Sequence, residues 1–270
     1  MKRSVEHRWV AVGICFVFGL AAEAVVMAEP AASALDRAAE AASSGRVKRR
    51  NIALRKLPAN AKVIGLEFTV LKVDSAGSEA AVDPEDHSFQ IGDSFVVKIR
   101  PQDDVYVYVF TEGPEGKRAC LLPEPDGEPL LVKQGVEISL PDNGDTFTFE
   151  PPAGEEKLVV VALREPNPNL DRLAEAAFKE PGKKLGSQEQ DLQAGLDPFD
   201  GLRKRGGESV RVRGGSAKEK DREFGAAVEK LAASAGQVVV PPDETTPHTE
   251  VVGMNKSEII VDIPLRSSPR

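Results

Sequence analysis

The sequence predicts a mainly β protein: an antiparallel β-sandwich-like domain with one or two peripheral helices and a long flexible insert. Three observations carry this. Between residues 63 and 163, short runs of β-branched and aromatic residues recur, each closed by Gly, Pro, Asp or Asn, which punctuates hairpins rather than βαβ units. From Arg164 these runs give way to two stretches with helical spacing and to Gly-, Lys-, Arg- and Gln-rich chain without period. Finally, residues 258–265 (Glu-Ile-Ile-Val-Asp-Ile-Pro-Leu) alternate like a strand although they follow so much loop.

Residues 1–28 have the parts of a secretory signal. Lys2, Arg3 and Arg8 give a positive start, an apolar run follows from Trp9 to Ala22, and Val26-Met27-Ala28 places small residues where a signal peptidase reads. The apolar run is shorter than the roughly 20 residues a bilayer span needs, and Glu23 interrupts its extension. Cleavage after Ala28 is therefore expected, with export to the periplasm or cell envelope. Cys15 lies inside the apolar run behind Ile14, which argues against a lipid anchor. Cys120 is then the one cysteine left, so no internal disulfide is expected, and it reads as a buried small hydrophobe. The chain's 35 basic and 43 acidic side chains become 32 and 41 without the three and two in residues 1–28, a net charge of −9. That acidity opposes general nucleic-acid binding.

Residues 29–60 read as an Ala-rich and basic linker. Leu35, Ala38, Ala39 and Ala42 allow a weak helix, and six basic residues follow between Arg46 and Lys56, a charge run expected to stay in water or to touch an anionic membrane surface weakly.

Residues 61–165 hold the β domain. Strands are expected over 63–73, 88–91, 94–99, 105–110, 118–123, 136–140, 146–149 and 157–163, separated by the turn chemistry of Asp74-Ser75-Ala76-Gly77, Gly92-Asp93, Gly113-Pro114-Glu115-Gly116 and Asn143-Gly144. Over 166–250 the expectation is a helical and flexible insert. Asn169 would cap a helix over 170–180, residues 182–218 would form a loop, and a second helix would run from Lys218 to Ala235 with Phe224, Ala227, Val228 and Leu231 on one face. Residues 251–266 would supply a C-terminal strand completing the β domain, since loop closure over a long insert costs little more than over a shorter one.

Several of these features occur in a familiar series. Phe89-Gln90-Ile91-Gly92-Asp93, Tyr106-Val107-Tyr108-Val109-Phe110, Gly116-Lys117, Leu121-Leu122-Pro123, Leu140-Pro141 and Pro152-Ala153-Gly154-Glu155 together resemble the bacterial domain of unknown function 4384 family. The terminal segment from Val261 to Arg266 is similar to a closing strand in longer members, which would carry the resemblance from about Val63 to Arg266 with a divergent insert. The resemblance implies a β-sandwich with no established activity, in envelope proteins or in accessory domains attached to protein kinases and peptidases. It transfers no functional residue.

No catalytic, cofactor or metal site is expected from the residue inventory. Asp86-His87-Ser88 contains the residue types of a hydrolase triad, but sequence neighbours cannot place a base between nucleophile and orienting acid. His87 and His248 cannot make a zinc site without carboxylate help. Gly113 to Lys117 lacks the spacing and hydroxyl of a phosphate loop. Tyr106, Tyr108 and Phe110 share one face of a strand, and are the candidate partner-contact residues if that face is open. The expected function is therefore that of a non-catalytic exported envelope protein, a binding or assembly module for a protein or cell-wall partner. The alternative is an accessory domain of an envelope hydrolase, or the hydrolase itself.

Overall fold

The computed structural model describes residues 14–15 and 62–269, apart from 114–117, 125–126, 143, 180–198, 206, 214–215, 232–233 and 243–246. The expected cleavage site, the segment over 29–60 with its basic run, the centre of the Gly113–Gly116 turn and residues 182–198 of the insert lie outside the described residues. The strands are β1 (Ile14–Cys15), β2 (Val63–Val73), β3 (Glu79–Val82), β4 (Ser88–Gln90), β5 (Ser94–Pro101), β6 (Val105–Glu112), β7 (Arg118–Leu122), β8 (Leu130–Val132), β9 (Ile138–Leu140), β10 (Phe147–Phe149) and β11 (Glu155–Leu163). The rest of the chain adds α1 (Pro168–Lys179), α2 (Asp200–Arg205), β12 (Glu208–Arg211), α3 (Ala217–Leu231), β13 (Gly236–Val240), β14 (Thr249–Met254) and β15 (Glu258–Ser268).

Two mixed sheets pack face to face. Sheet A runs β1-β10-β5-β2-β14-β13-β12, with β3 beside β2 and β9 beside β5, and sheet B runs β4-β15-β11-β6-β7, with β8 beside β6. Alternate residues of both sheets fill the space between them, including Ile64, Leu66, Phe68 and Val70 of β2 and Val105, Val107 and Val109 of β6. The Phe89, Phe95, Phe147 and Phe149 rings close one end, with centroids 4.7 to 5.7 Å apart. The outer faces are covered as well. Helices α1 and α2 bury Leu170, Leu173 and Leu202 against sheet B together with Phe199 just ahead of α2, and α3 packs Phe224, Val228 and Leu231 on sheet A. Covering both faces explains why β11 is apolar from Leu158 to Leu163 without alternation.

Helix starts are set by local hydrogen bonds. Asn167, not Asn169, caps α1: its Oδ1 accepts from the Asn169 N–H at 3.0 Å, and Pro168 occupies the first helical position, where a missing N–H costs nothing. Ser216 and Glu219 form a reciprocal capping box ahead of α3, the Glu219 carboxylate accepting from the Ser216 N–H at 3.0 Å and the Ser216 Oγ from the Glu219 N–H at 3.3 Å. Among the described residues no helix is long and apolar enough to cross a membrane.

The region after Arg164 departs from the expected loop. Residues 199–212 contain α2 and β12 and bury Phe199, Leu202 and Val212, while β13, unforeseen, extends sheet A. Their apolar residues are too few and too short in span to show a period on their own. Two pairings, β12 with β13 and β4 with β15, are parallel. At the start of β12, Gly207 has φ +66, and a Cβ there would stand 1.9 Å from the Ala235 carbonyl oxygen, so only glycine fits. Across the insert, β15 lies antiparallel along β11, from Glu155 opposite Arg266 to Leu163 opposite Glu258.

Candidate functional site

The aromatic stripe of β6 is placed differently from a contact surface. Tyr108 and Phe110 are fully buried beneath α1 and α2, and Tyr106 is partly buried at the margin of the same cluster. The outer face of sheet B is available for helices because it is apolar, and they take the space a partner would need. Tyr108 instead holds α1: its hydroxyl donates to Asp171 Oδ1 at 2.6 Å, and burial together with that carboxylate pushes its pKa well above the ordinary phenol value. Only Tyr106 reaches the surface, opposite Leu131 of β8, which is 39% exposed.

The other sequence candidates do not converge. Asp86 and Ser88 are exposed, while the His87 ring packs edge-on against Phe89 at 4.6 Å and its Nε2 has no hydrogen-bond partner. Burial lowers the His87 pKa. Neither a base–nucleophile contact nor an orienting acid is formed there. Cys120 is buried beneath α1 and α2, its Sγ donating weakly to the Leu122 carbonyl oxygen at 3.2 Å, and burial raises its pKa out of the reactive range.

What the structure does build is a cleft of about 340 Å³ where the two sheets diverge. Its walls are Ser209 and Arg211 of β12, Gln237 and Val239 of β13 and Thr249 of β14 on one side, and Ile260, Val261, Asp262 and Pro264 of β15 on the other. The loop at Asp83–Glu85 forms its lip. Arg211 reaches that lip, donating to Glu85 Oε1 at 2.6 Å and to Asp83 Oδ2 at 3.4 Å. Across the opening, Arg203 makes a two-pronged contact with Asp262 at 2.7 and 3.1 Å. Both ion pairs stand at the rim, partly exposed, where such pairs contribute little stability and can exchange partners. Between the sheets, Gln237 Nε2 donates to the Ile260 carbonyl oxygen at 3.1 Å, which leaves the buried Oε1 without a partner. A buried amide oxygen left unpaired costs about 1–3 kcal/mol, so the cleft holds an acceptor that a donor-bearing ligand would satisfy.

On the opposite face of the same strands, His248 sits against the carboxylates of Glu67 and Glu250. These residues, and those of the cleft, were invisible as groups in the sequence. Only the i, i+2 spacing of His248, just ahead of β14, and Glu250 was available there as a signal.

Residues 88–166 match the family described as Domain of unknown function (DUF4384), which covers β4 to β11 and the turn into α1. No curated protein and no solved structure matches the chain.

Proposed function

We propose that, with residues 88–166 as a domain of unknown function (DUF4384), this chain is an exported envelope protein acting as a non-catalytic binding or assembly module. In this reading, the cleft between β12–β14 and β15 is where a protein or cell-wall partner inserts. The observation that carries the reading is Gln237 Oε1, a buried, unpartnered acceptor on a cleft wall whose rim offers both guanidinium and carboxylate groups. Such a site suits a polar, donor-rich segment, whether a peptide amide or an amino sugar, with Arg203 and Arg211 exchanging their present carboxylates for the partner's. The signal-like pattern over 1–28 supports export, its cleavage removing the two-residue edge strand β1 from sheet A, and the acidity of the remaining chain opposes nucleic acid as the partner.

The test is capture from envelope extract with purified protein, compared with Gln237→Met and Arg211→Ala variants that keep the wild-type melting curve. Loss of the captured component in both variants is expected; capture indifferent to both removes the cleft from the proposal. Intact-mass measurement on protein from the native host should show a chain starting at Glu29, and retention of residues 1–28 would overturn the export reading.

A further inference from the structure

Glu67 and Glu250 face each other across the β2–β14 pair. By strand alternation their side chains share the outer face of sheet A with Val63 and Val252, beside α3. The side chains are only 18% and 7% exposed, and like charges directly opposite on neighbouring strands repel. Among the described residues, the nearby cation on β5, Arg100, is turned to Glu137 at 2.7 Å. The third member is His248, whose Nε2 lies 3.8 Å from Glu67 Oε1 and 3.6 Å from Glu250 Oε1.

The three donor atoms, one imidazole nitrogen and two carboxylate oxygens, all lie within 4.8 Å of one another. A tetrahedral ion with bonds of about 2.1 Å holds its ligand atoms roughly 3.4 Å apart, so the observed separations from Nε2 require closing by only a few tenths of an ångström. The surroundings orient the set. Gln102 Nε2 donates to Glu67 Oε1 at 2.9 Å, as a neighbour that aims a ligating carboxylate does. Gly65 makes room for it, since a Cβ there would stand 2.7 Å from Gln102 Oε1. The His248 side chain is 21% exposed, while its Nε2, turned to the two carboxylates, is buried.

We infer that Glu67, His248 and Glu250 form a divalent-cation site of the zinc class, with three protein ligands and at least one position for water. The mixed nitrogen and oxygen set favours Zn²⁺ or a neighbouring first-row ion over Ca²⁺ or Mg²⁺, which take oxygen ligands. The carboxylates that His248 lacks among its sequence neighbours are supplied by Glu67 of β2 and by Glu250 of β14, the strand that begins just after it, so the expectation of no metal is revised by this inference. It stands apart from the cleft, which opens on the other face of sheet A.

The experiment uses the purified full-length protein, stripped with EDTA, desalted and titrated with ZnCl₂ by calorimetry near neutral pH and again in mild acid. One saturable event per chain is expected, weakened roughly a hundredfold by His248→Gln and by Glu67→Gln, and lost in acid as the imidazole protonates. Zinc should also raise the melting temperature of the wild type and not of His248→Gln. Glu67→Gln removes a repulsion rather than a packed group, so its metal-free melting curve serves as the folding control. Absence of saturable zinc binding would overturn the inference. So would zinc binding unchanged in both variants, or stabilisation on acidification with no response to zinc, which would mark the cluster as an imidazolium–carboxylate ion pair.

Discussion

The Tyr108 hydroxyl donates to Asp171 Oδ1 at 2.6 Å, tying the middle of β6 to the first turn of α1. A residue whose type and spacing advertise a contact surface is thereby the peg on which a covering helix hangs. Tyr108→Phe should lower stability by about 1–2 kcal/mol, as should Asp171→Asn, because the bond is to a charged acceptor in a partly buried setting. Denaturant melts of the two single variants and the double would read the coupling directly; fully additive losses would mean the bond contributes nothing.

Glu156 is buried, neither of its carboxylate oxygens has a hydrogen-bond partner, and burial pushes its pKa up to about 7. A carboxyl whose folded pKa is raised favours the folded state most below its unfolded value, and that advantage is lost as pH rises through about 7. Glu156→Gln should therefore leave stability in acid unchanged and raise it by roughly 2–3 kcal/mol above pH 8. Melting temperatures of the two proteins that run parallel across this range would refute the assignment.

Truncation after Asn255 removes β15, and with it the partner of β11 from Glu155 to Leu163 and the core side chains Ile259, Ile263 and Leu265. No cooperative melt, or no soluble protein, is expected, since β11 would be left as a long apolar edge. A truncated protein that melts like the whole would make β15 a dispensable tail.

Phe199 is fully buried between the Phe110 ring, 5.2 Å away, and the guanidinium groups of Arg118 and Arg203. Phe199→Ala should cost about 3–5 kcal/mol by chemical denaturation. A loop reading of residues 182–218 would leave stability untouched, so the same measurement separates the two descriptions, and deletion of 183–215 should be damaging rather than silent.

The chemistry that sequence reading weighed was limited to neighbours in the chain. Asp86, His87 and Ser88 could be judged because three adjacent residues cannot meet in triad geometry, and the structure leaves His87 packed on Phe89 instead. Glu67 with His248, and Asp83 with Arg211, could not be judged, because each pair is joined only by the way β2, β12 and β14 are ordered in sheet A.

By itself the sequence determined the β character of residues 63–163, the strand over 258–265 and the amphipathic faces of α1 and α3, because alternation of period two and spacing of 3.6 are local consequences of backbone geometry. It also carried the family, whose match is found over 88–166, a shorter span than the one from Val63 to Arg266 that the resemblance suggested. Only the tertiary structure decided that β12 and β13 extend sheet A, that Tyr108 and Phe110 lie under helices and that Gln237 is left with an open acceptor in a cleft. A four- or five-residue strand such as Glu208–Arg211 has no preference strong enough to declare itself, and it is fixed by the neighbour that offers its backbone a partner and its side chains a face to cover.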